Sequence, residues 1–209
     1  MIHLVVALPA EARGITRGLG LSREVPELGL RHLYRGIPLH LVVSGPGRYL
    51  ARRAVESIAE QPGSTEQQAW LNVGIAGHAD LPPGTCLLAE EIRESSTGLS
   101  WQPSIPFPAS CPRAPVCTVD RPETEFSTDA AYDMEASGFF AAASRVADRG
   151  LVQVVKVVSD NVGDDVSTLT SDRVESLIHD AAACLGEMIE HLQALALSTR
   201  RWQSRGECQ

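Results

Sequence analysis

Ala131-Tyr-Asp-Met-Glu135-Ala-Ser-Gly-Phe139 opens a helix, and Leu151-Val-Gln-Val-Val-Lys-Val-Val-Ser159-Asp160-Asn161 follows it as the most strand-like run of the sequence. A continuous β-branched run reads as a strand covered on both faces, which gives it a central place in a sheet. Each stretch carries an acid where burial is costly. Glu135 stands among small and apolar residues at the helix start, and Asp160 ends the apolar strand. A desolvated carboxylate without a partner is unfavourable, so such placements mark candidate sites.

Working outward, the apolar run Ile2 to Leu8 predicts another buried strand, and Pro9 suits the first position of the helix that follows. Pro9-Ala-Glu11-Ala-Arg13 is then a strand-to-helix turn at the carboxyl end of a strand, where α/β folds gather ligands. Arg31 to Arg35 and Leu39 to Val43 flank Gly36-Ile37-Pro38 and read as two antiparallel strands. Ser44-Gly-Pro-Gly47 leads into a helix from Arg48 to about Ala59. Its glycines allow close backbone approach, and the helix start offers free N–H groups to a ligand. A plain strand-to-helix turn is the alternative. Residues 61–68 read as a surface loop.

Ala69 to Val73 predicts a strand ending in Gly74-Ile-Ala-Gly77, and Leu81-Pro-Pro-Gly84 a turn before a short strand from Thr85 to Ala89. Residues 93–115, rich in Pro and Ser, form a long loop, either a lid or a connector. Pro115 to Val119 is a further strand, and residues 120–130 are irregular. The helix opened near Met134 runs to about Asp148, with Gly150 as its stop. The last helix starts near Asp172 with Glu175 as a capping-box partner, and its apolar face runs from Val174 to Leu192. The whole is α/β, with a mixed, partly parallel sheet flanked by helices. Residues 1–197 form a single domain and 198–209 a frayed, flexible tail.

The 209 residues are 44% hydrophobic and carry a formal charge of −8, which disfavours a nucleic-acid partner. The five cysteines, Cys86, Cys111, Cys117, Cys184 and Cys208, contain no Cys-x-x-Cys pair, so they read as reduced thiols. No run reaches the roughly 20 apolar residues that span a bilayer, and the N-terminus lacks a basic leader. A cytoplasmic protein with no membrane or nucleic-acid partner is expected.

The quoted segments are similar to those of the purine nucleoside phosphorylase and nucleosidase superfamily, whose members carry a (V/D)MEA segment and then a strand ending in Ser-Asp. Ser44-Gly-Pro-Gly47 before a helix, and Asn72-Val-Gly74-Ile-Ala-Gly77 before Pro83-Gly84, agree with it. All four motifs occur in the family's order. In character the chain resembles most the 5′-methylthioadenosine/S-adenosylhomocysteine nucleosidases and the futalosine hydrolases. The resemblance implies a three-layer αβα sandwich of the phosphorylase/hydrolase type.

It also implies a chemistry, cleavage of the bond between a purine and ribose. The leaving base must be protonated, the oxocarbenium-like ribose held, and a nucleophile kept on the opposite face. Two carboxyl groups flanking the bond serve the first and third needs, as in glycoside hydrolysis generally. By resemblance Asp160, with Ser159, protonates the base, and Glu135 accepts hydrogen bonds from the ribose hydroxyls. Met134 packs under the sugar, and Glu11 activates water. Gly45, Gly74, Ala76 and Gly77 of the glycine-rich segments complete the substrate contacts. Simpler readings remain open: Asp160 as a turn cap, Glu135 as a helix N-terminal acid, Glu11 as a surface acid.

Phosphorolytic members carry an Arg two positions before the first Gly of their Gly-x-x-Gly segment and a Ser or Thr just after that Gly. Asn72 and Ile75 stand there in this chain, and neither offers phosphate a charged fork or a hydroxyl. Water is therefore the expected nucleophile, although Arg13 or Arg48 near the glycine-rich turn would favour phosphate. Aspartate at position 160, where futalosine hydrolases tend to carry asparagine, leans toward a 6-aminopurine such as adenine. Thr118-Val-Asp120 is a weak counterpart of the family's Ser-x-Asp, and Phe126, Phe139 and Phe140 are candidates to stack on a base. Residues 93–130 are the expected source of the base pocket. No cofactor or metal is called for, and a homodimer is expected by analogy. A phosphate-dependent phosphorylase acting on a 5′-substituted adenosine and a non-catalytic nucleoside-binding relative are the competing readings.

Overall fold

The parallel strands that carry the candidate acids form the middle of the molecule, in a computed structural model that describes residues 1–24, 31–61, 68–164 and 166–206. β1 (Ile2–Val6) lies between β4 (Ile37–Val43) and β5 (Ala69–Gly77), parallel to both. β5 pairs in parallel with β10 (Val152–Asp160). All nine residues of β10 are buried, as its β-branched run requires. β2 (Ser22–Glu24) and β3 (Arg31–Tyr34) extend the sheet antiparallel beyond β4. On the other side β10, β6 (Cys86–Glu94), β8 (Arg113–Thr118), β9 (Ala131–Asp133) and β5 pair in turn and close into a ring. β7 (Ser100–Trp101) only doubles back on β6.

Alternation along β1 divides the core between the two faces of the sheet. Ile2, Leu4 and Val6 pack with Ile15, Leu177, Ile178, Met188 and Ile189 from α1 (Pro9–Gly18), α4 (Ser171–Asp180) and α5 (Ala182–Gly206). Val5 packs with Ala51, Val55, Phe139 and Phe140 from α2 (Arg48–Ala59) and α3 (Ala136–Ala143). Each such side chain contributes about 1.5–3 kcal/mol by leaving water. The result is the expected three-layer αβα sandwich. Phe139 and Phe140 are therefore core residues, with no exposed face left to stack on a base. Helix α3 approaches α2 so closely that a Cβ on Gly138 would overlap the Arg48 carbonyl.

Several elements differ from the sequence reading. The final helical run is two helices, broken at Ala181, and Thr170 caps α4 by accepting from the Arg173 N–H at 3.2 Å. Glu175 is no capping partner; it bonds Arg13 of α1 at 2.6 Å. The backbone of α5 stays helical to Gly206, past residue 198, and residues 207–209 lie outside those described. α3 is shorter than expected, and a single 3-10 turn at Arg149–Leu151 leads into β10. In the predicted loop 61–68, residues 62–67 likewise lie outside the described residues.

The segment after β7 is a packed strap. Ile105, Phe107, Ala109 and Cys111 contact the core beside α5, and the Gln153 side chain donates to the Ser104 carbonyl at 2.7 Å. Among the described residues no helix is long and apolar enough to cross a membrane.

Candidate active site

The carboxyl ends of β1, β5 and β10 open onto a cavity of about 230 Å³. Its wall includes Glu11, Glu135 and Asp160 together with Met134, Ser159, Ala76 and Gly77. Three acids from distant parts of the sequence thus meet at the crevice where open parallel sheets bind ligands.

Glu11 is buried one turn into α1. One carboxyl oxygen accepts from the Ala7 and Leu8 N–H groups at 2.9 and 2.8 Å, the other from the Ile75 N–H at 3.0 Å. A surface role is excluded. Burial pushes its pKa up, against the opposing pull of the Leu8 amide, the Lys156 charge and the other two amides. Gly74 lies behind the wall and makes room for this arrangement. A Cβ there would stand 3.0 Å from Glu11 Oε1 and 3.2 Å from Lys156 Nζ.

Glu135 is the residue before α3, and its Oε1 accepts from the Gly47 N–H at 2.7 Å. Gly47 has φ of 99°, a conformation that glycine adopts freely, so the glycine-rich turn aims an amide at this acid. Pro46 joins the wall, whereas Gly45 does not; a Cβ on Gly45 would meet the Leu50 side chain. Burial raises the Glu135 pKa to about 7, with the Lys156 charge opposing and Asp133 adding to the rise.

Asp160 ends β10, and the Ser159 hydroxyl donates to its Oδ1. Burial raises its pKa, the Ser159 hydrogen bond opposes, and the Asp164 charge adds to the rise. The turn beyond is capped by Asp164, which accepts from the Asn161 N–H at 2.8 Å, so Asp160 is not the turn cap. The Asn161 side chain donates to the His78 and Leu81 carbonyls at 2.6 and 2.8 Å, tying the ends of β5 and β10 together. A Cβ on Gly77 would stand 2.8 Å from Asp160 Oδ2 and overlap the Phe126 ring, so only glycine leaves this acid its place.

Lys156 and Asp133 belong to the site but carry no role in the sequence reading. Lys156 is fully buried, with Nζ 2.7 Å from Asp133 Oδ2. Burial lowers its pKa, but Asp133, Glu135 and Glu11 outweigh this and the net shift is upward. The signal was a lysine in the middle of a buried apolar strand. Asp133 also accepts from the Thr118 hydroxyl at 2.7 Å and the Ala136 N–H at 2.8 Å. Thr118 thus orients Asp133, and Asp120 lies off the wall, paired with Arg48 at 2.9 Å.

The rest of the wall comes from irregular segments: Val119, Pro122 and Glu123 after β8, and Val166 and Leu169 after β10. Tyr132 supplies the aromatic surface, with Phe126 edge-on behind it at 5.6 Å. Residues 93–115 contribute nothing to this wall, so the lid reading of that loop is set aside. The charged residues of the cavity wall are Glu11, Glu123, Asp133, Glu135 and Asp160, all acids. Arg13 and Arg48 are engaged outside it, and Asn72 donates to the Val5 carbonyl at 3.0 Å within the sheet.

No family model matches the chain, and no curated protein matches it in sequence. Its fold is nevertheless shared with solved nucleosidases. A 5′-methylthioadenosine/S-adenosylhomocysteine nucleosidase from Colwellia psychrerythraea, in complex with adenine, superposes with a TM-score of 0.71 at 17% identity, over 91% of this chain and 95% of that one. An enzyme of the same kind from Chlamydia trachomatis gives 0.70 at 22% identity, over 91% and 98%. Futalosine hydrolase from Helicobacter pylori gives 0.69 at 15% identity, over 91% and 97%.

Proposed function

We propose that this chain is a nucleosidase that hydrolyses the N-glycosidic bond of an adenine-type purine nucleoside. The observation that carries the reading is the meeting of Glu11, Glu135 and Asp160 on one cavity wall. The adenine held by the Colwellia psychrerythraea relative supports the choice of base.

Each acid suits one task. Burial keeps Asp160 protonated to higher pH, so it holds a proton to give to a ring nitrogen of the departing base. Glu135, fixed by the Gly47 amide, accepts hydrogen bonds from the ribose hydroxyls and stays close as positive charge develops on the sugar. Glu11, when ionised, takes a proton from a water attacking the opposite face; its raised pKa makes it a stronger base. The buried charge of Lys156 offsets the crowding of these carboxylates.

Water is favoured over phosphate because every charged residue on the wall is an acid and Ile75 replaces a hydroxyl donor. A phosphate anion in this cavity would meet acids on the wall, while the nearby cation, Lys156, lies behind the wall and is already paired with Asp133. Incubation with methylthioadenosine or adenosine in phosphate-free buffer should release adenine and free sugar. Strict dependence on phosphate overturns the hydrolytic reading, and binding without base release makes the chain a non-catalytic relative. Asp160→Asn should lower the rate about 10²–10⁴-fold.

Residues 1–197 act as one nucleoside-cleaving unit in this reading, in the cytoplasm, as a homodimer. Val43, Tyr49 and Leu50, exposed beside the glycine-rich turn, suit the interface between copies, and sedimentation tests the assembly.

A further inference from the structure

We propose that Cys111 and Cys184 are a redox-reactive thiol pair that forms a disulfide locking the strap of residues 102–112 onto α5. Nothing in the nucleosidase reading uses these residues, and neither lines the cavity.

The pairing follows from how the strap lies. The Ser110 N–H and hydroxyl both donate to the Glu187 carboxylate of α5, the N–H at 3.2 Å. Phe107 stacks on His191 with ring centroids 5.0 Å apart. Cys184, Glu187 and His191 are three and four residues apart and so share one helix face. The strap therefore runs antiparallel to α5, with Phe107 on His191, Ser110 on Glu187, and Cys111 next in line for Cys184.

Cys86 closes the cluster from the sheet. Leu88 pairs with Arg113 between the parallel strands β6 and β8, so the same register two residues earlier sets Cys86 beside Cys111. All three thiols pack against the core beneath α5, close enough to perturb one another's titration. Cys86 is fixed in ladder with Val157 of β10, whereas Cys111 precedes its strand and Cys184 is the third residue of its helix. The Ser110–Glu187 and Phe107–His191 contacts already draw the strap onto α5, so Cys184 is the partner that the strap's own docking brings to Cys111.

The neighbouring Cys184 and Cys86 thiols hold the Cys111 pKa below the ordinary thiol range, while the proximity of Cys111 pushes the Cys184 pKa up. Cys111 is then the attacking thiolate and Cys184 the resolving thiol. With a small-molecule disulfide such as oxidised glutathione, Cys111 Sγ attacks one sulfur and expels one glutathione thiolate. Cys184 loses its proton to that thiolate and attacks Cys111 Sγ, expelling the second. Two protein thiols are oxidised as one glutathione disulfide is reduced to two thiols. Where thiols are otherwise kept reduced, a disulfide that does form is usually transient and redox-sensing, which suits a link that a thiol reductant reverses.

The test is to treat the full-length protein with oxidised glutathione, then count free thiols and map linked peptides by mass spectrometry. We expect a loss of two thiols per chain, a Cys111–Cys184 link that dithiothreitol reverses, and a Tm raised by about 5 °C in the oxidised form. Cys111→Ser should abolish the link and Cys117→Ser should leave it intact. The Cys111→Ser protein, whose fold is checked by its unmodified Tm, separates loss of chemistry from loss of structure. No link, a link from Cys111 to Cys86, or a mixed disulfide that persists at Cys111 overturns the proposal.

Discussion

Glu135 and Lys156 show burial and neighbouring charge setting the behaviour of this site between them: burial prevails at Glu135, the surrounding acids at Lys156. Glu135 is raised to about 7 from an ordinary 4.5, so the folded protein holds that proton more tightly than the unfolded chain. The stabilisation is present below about pH 4.5 and is lost as pH rises through about 7. Glu135→Gln keeps the neutral shape and should flatten this dependence. Between pH 5 and 8 the wild type should lose up to about 3 kcal/mol relative to the variant, measured by urea unfolding at each pH. Activity should follow a bell, with Glu11 needed ionised on the acid side and Asp160 protonated on the alkaline side. Glu135 and Asp160 were legible in sequence because each stands where a carboxylate is out of place, whereas Glu11 was reached only through the family resemblance, since an acid in the first turn of a helix is ordinary. The Lys156–Asp133 pair was not assigned, since the cost of burying that lysine becomes explicable only when its partner on β9 is known.

At the scale of elements, the glycine-rich turn and α3 form one device. Gly47 aims its amide at Glu135, and Gly138 lets α3 approach the start of α2 closely enough for that bond to form. Gly138→Ala forces a methyl group onto the Arg48 carbonyl. The expected cost is about 1–3 kcal/mol by chemical denaturation, with weaker substrate binding as the Gly47 amide moves away. Local signals located the helix start at Arg48 and the strand end at Asp160, both of which the structure reproduces. They failed for β9, too short to show a period, and for the break at Ala181, where the apolar spacing continues unbroken from α4 into α5. They also failed for Glu175, whose spacing from Asp172 imitates a capping box while its carboxylate is drawn away to Arg13 and Arg17.

For the molecule as a whole, the cavity unites the ends of three parallel strands with loops from the closed ring, so a ligand there should stabilise the entire fold. Adenine at a hundredfold its Kd should add about 2.7 kcal/mol. That corresponds to a Tm rise of about 5–10 °C for a chain of this size, read by differential scanning calorimetry. No rise at saturating adenine would count against adenine as the bound base.

The amino-acid sequence by itself determined the layered α/β class, the central strand and the placement of Glu135 and Asp160 where a carboxylate is costly, because periodicity and misplaced charge are local properties. Only the tertiary structure decided what those acids touch: the amides around Glu11, the Lys156–Asp133 pair, and the loops after β8 and β10 that finish the wall. Those features depend on which segments meet across the sheet, and irregular segments carry no period from which such meetings can be read.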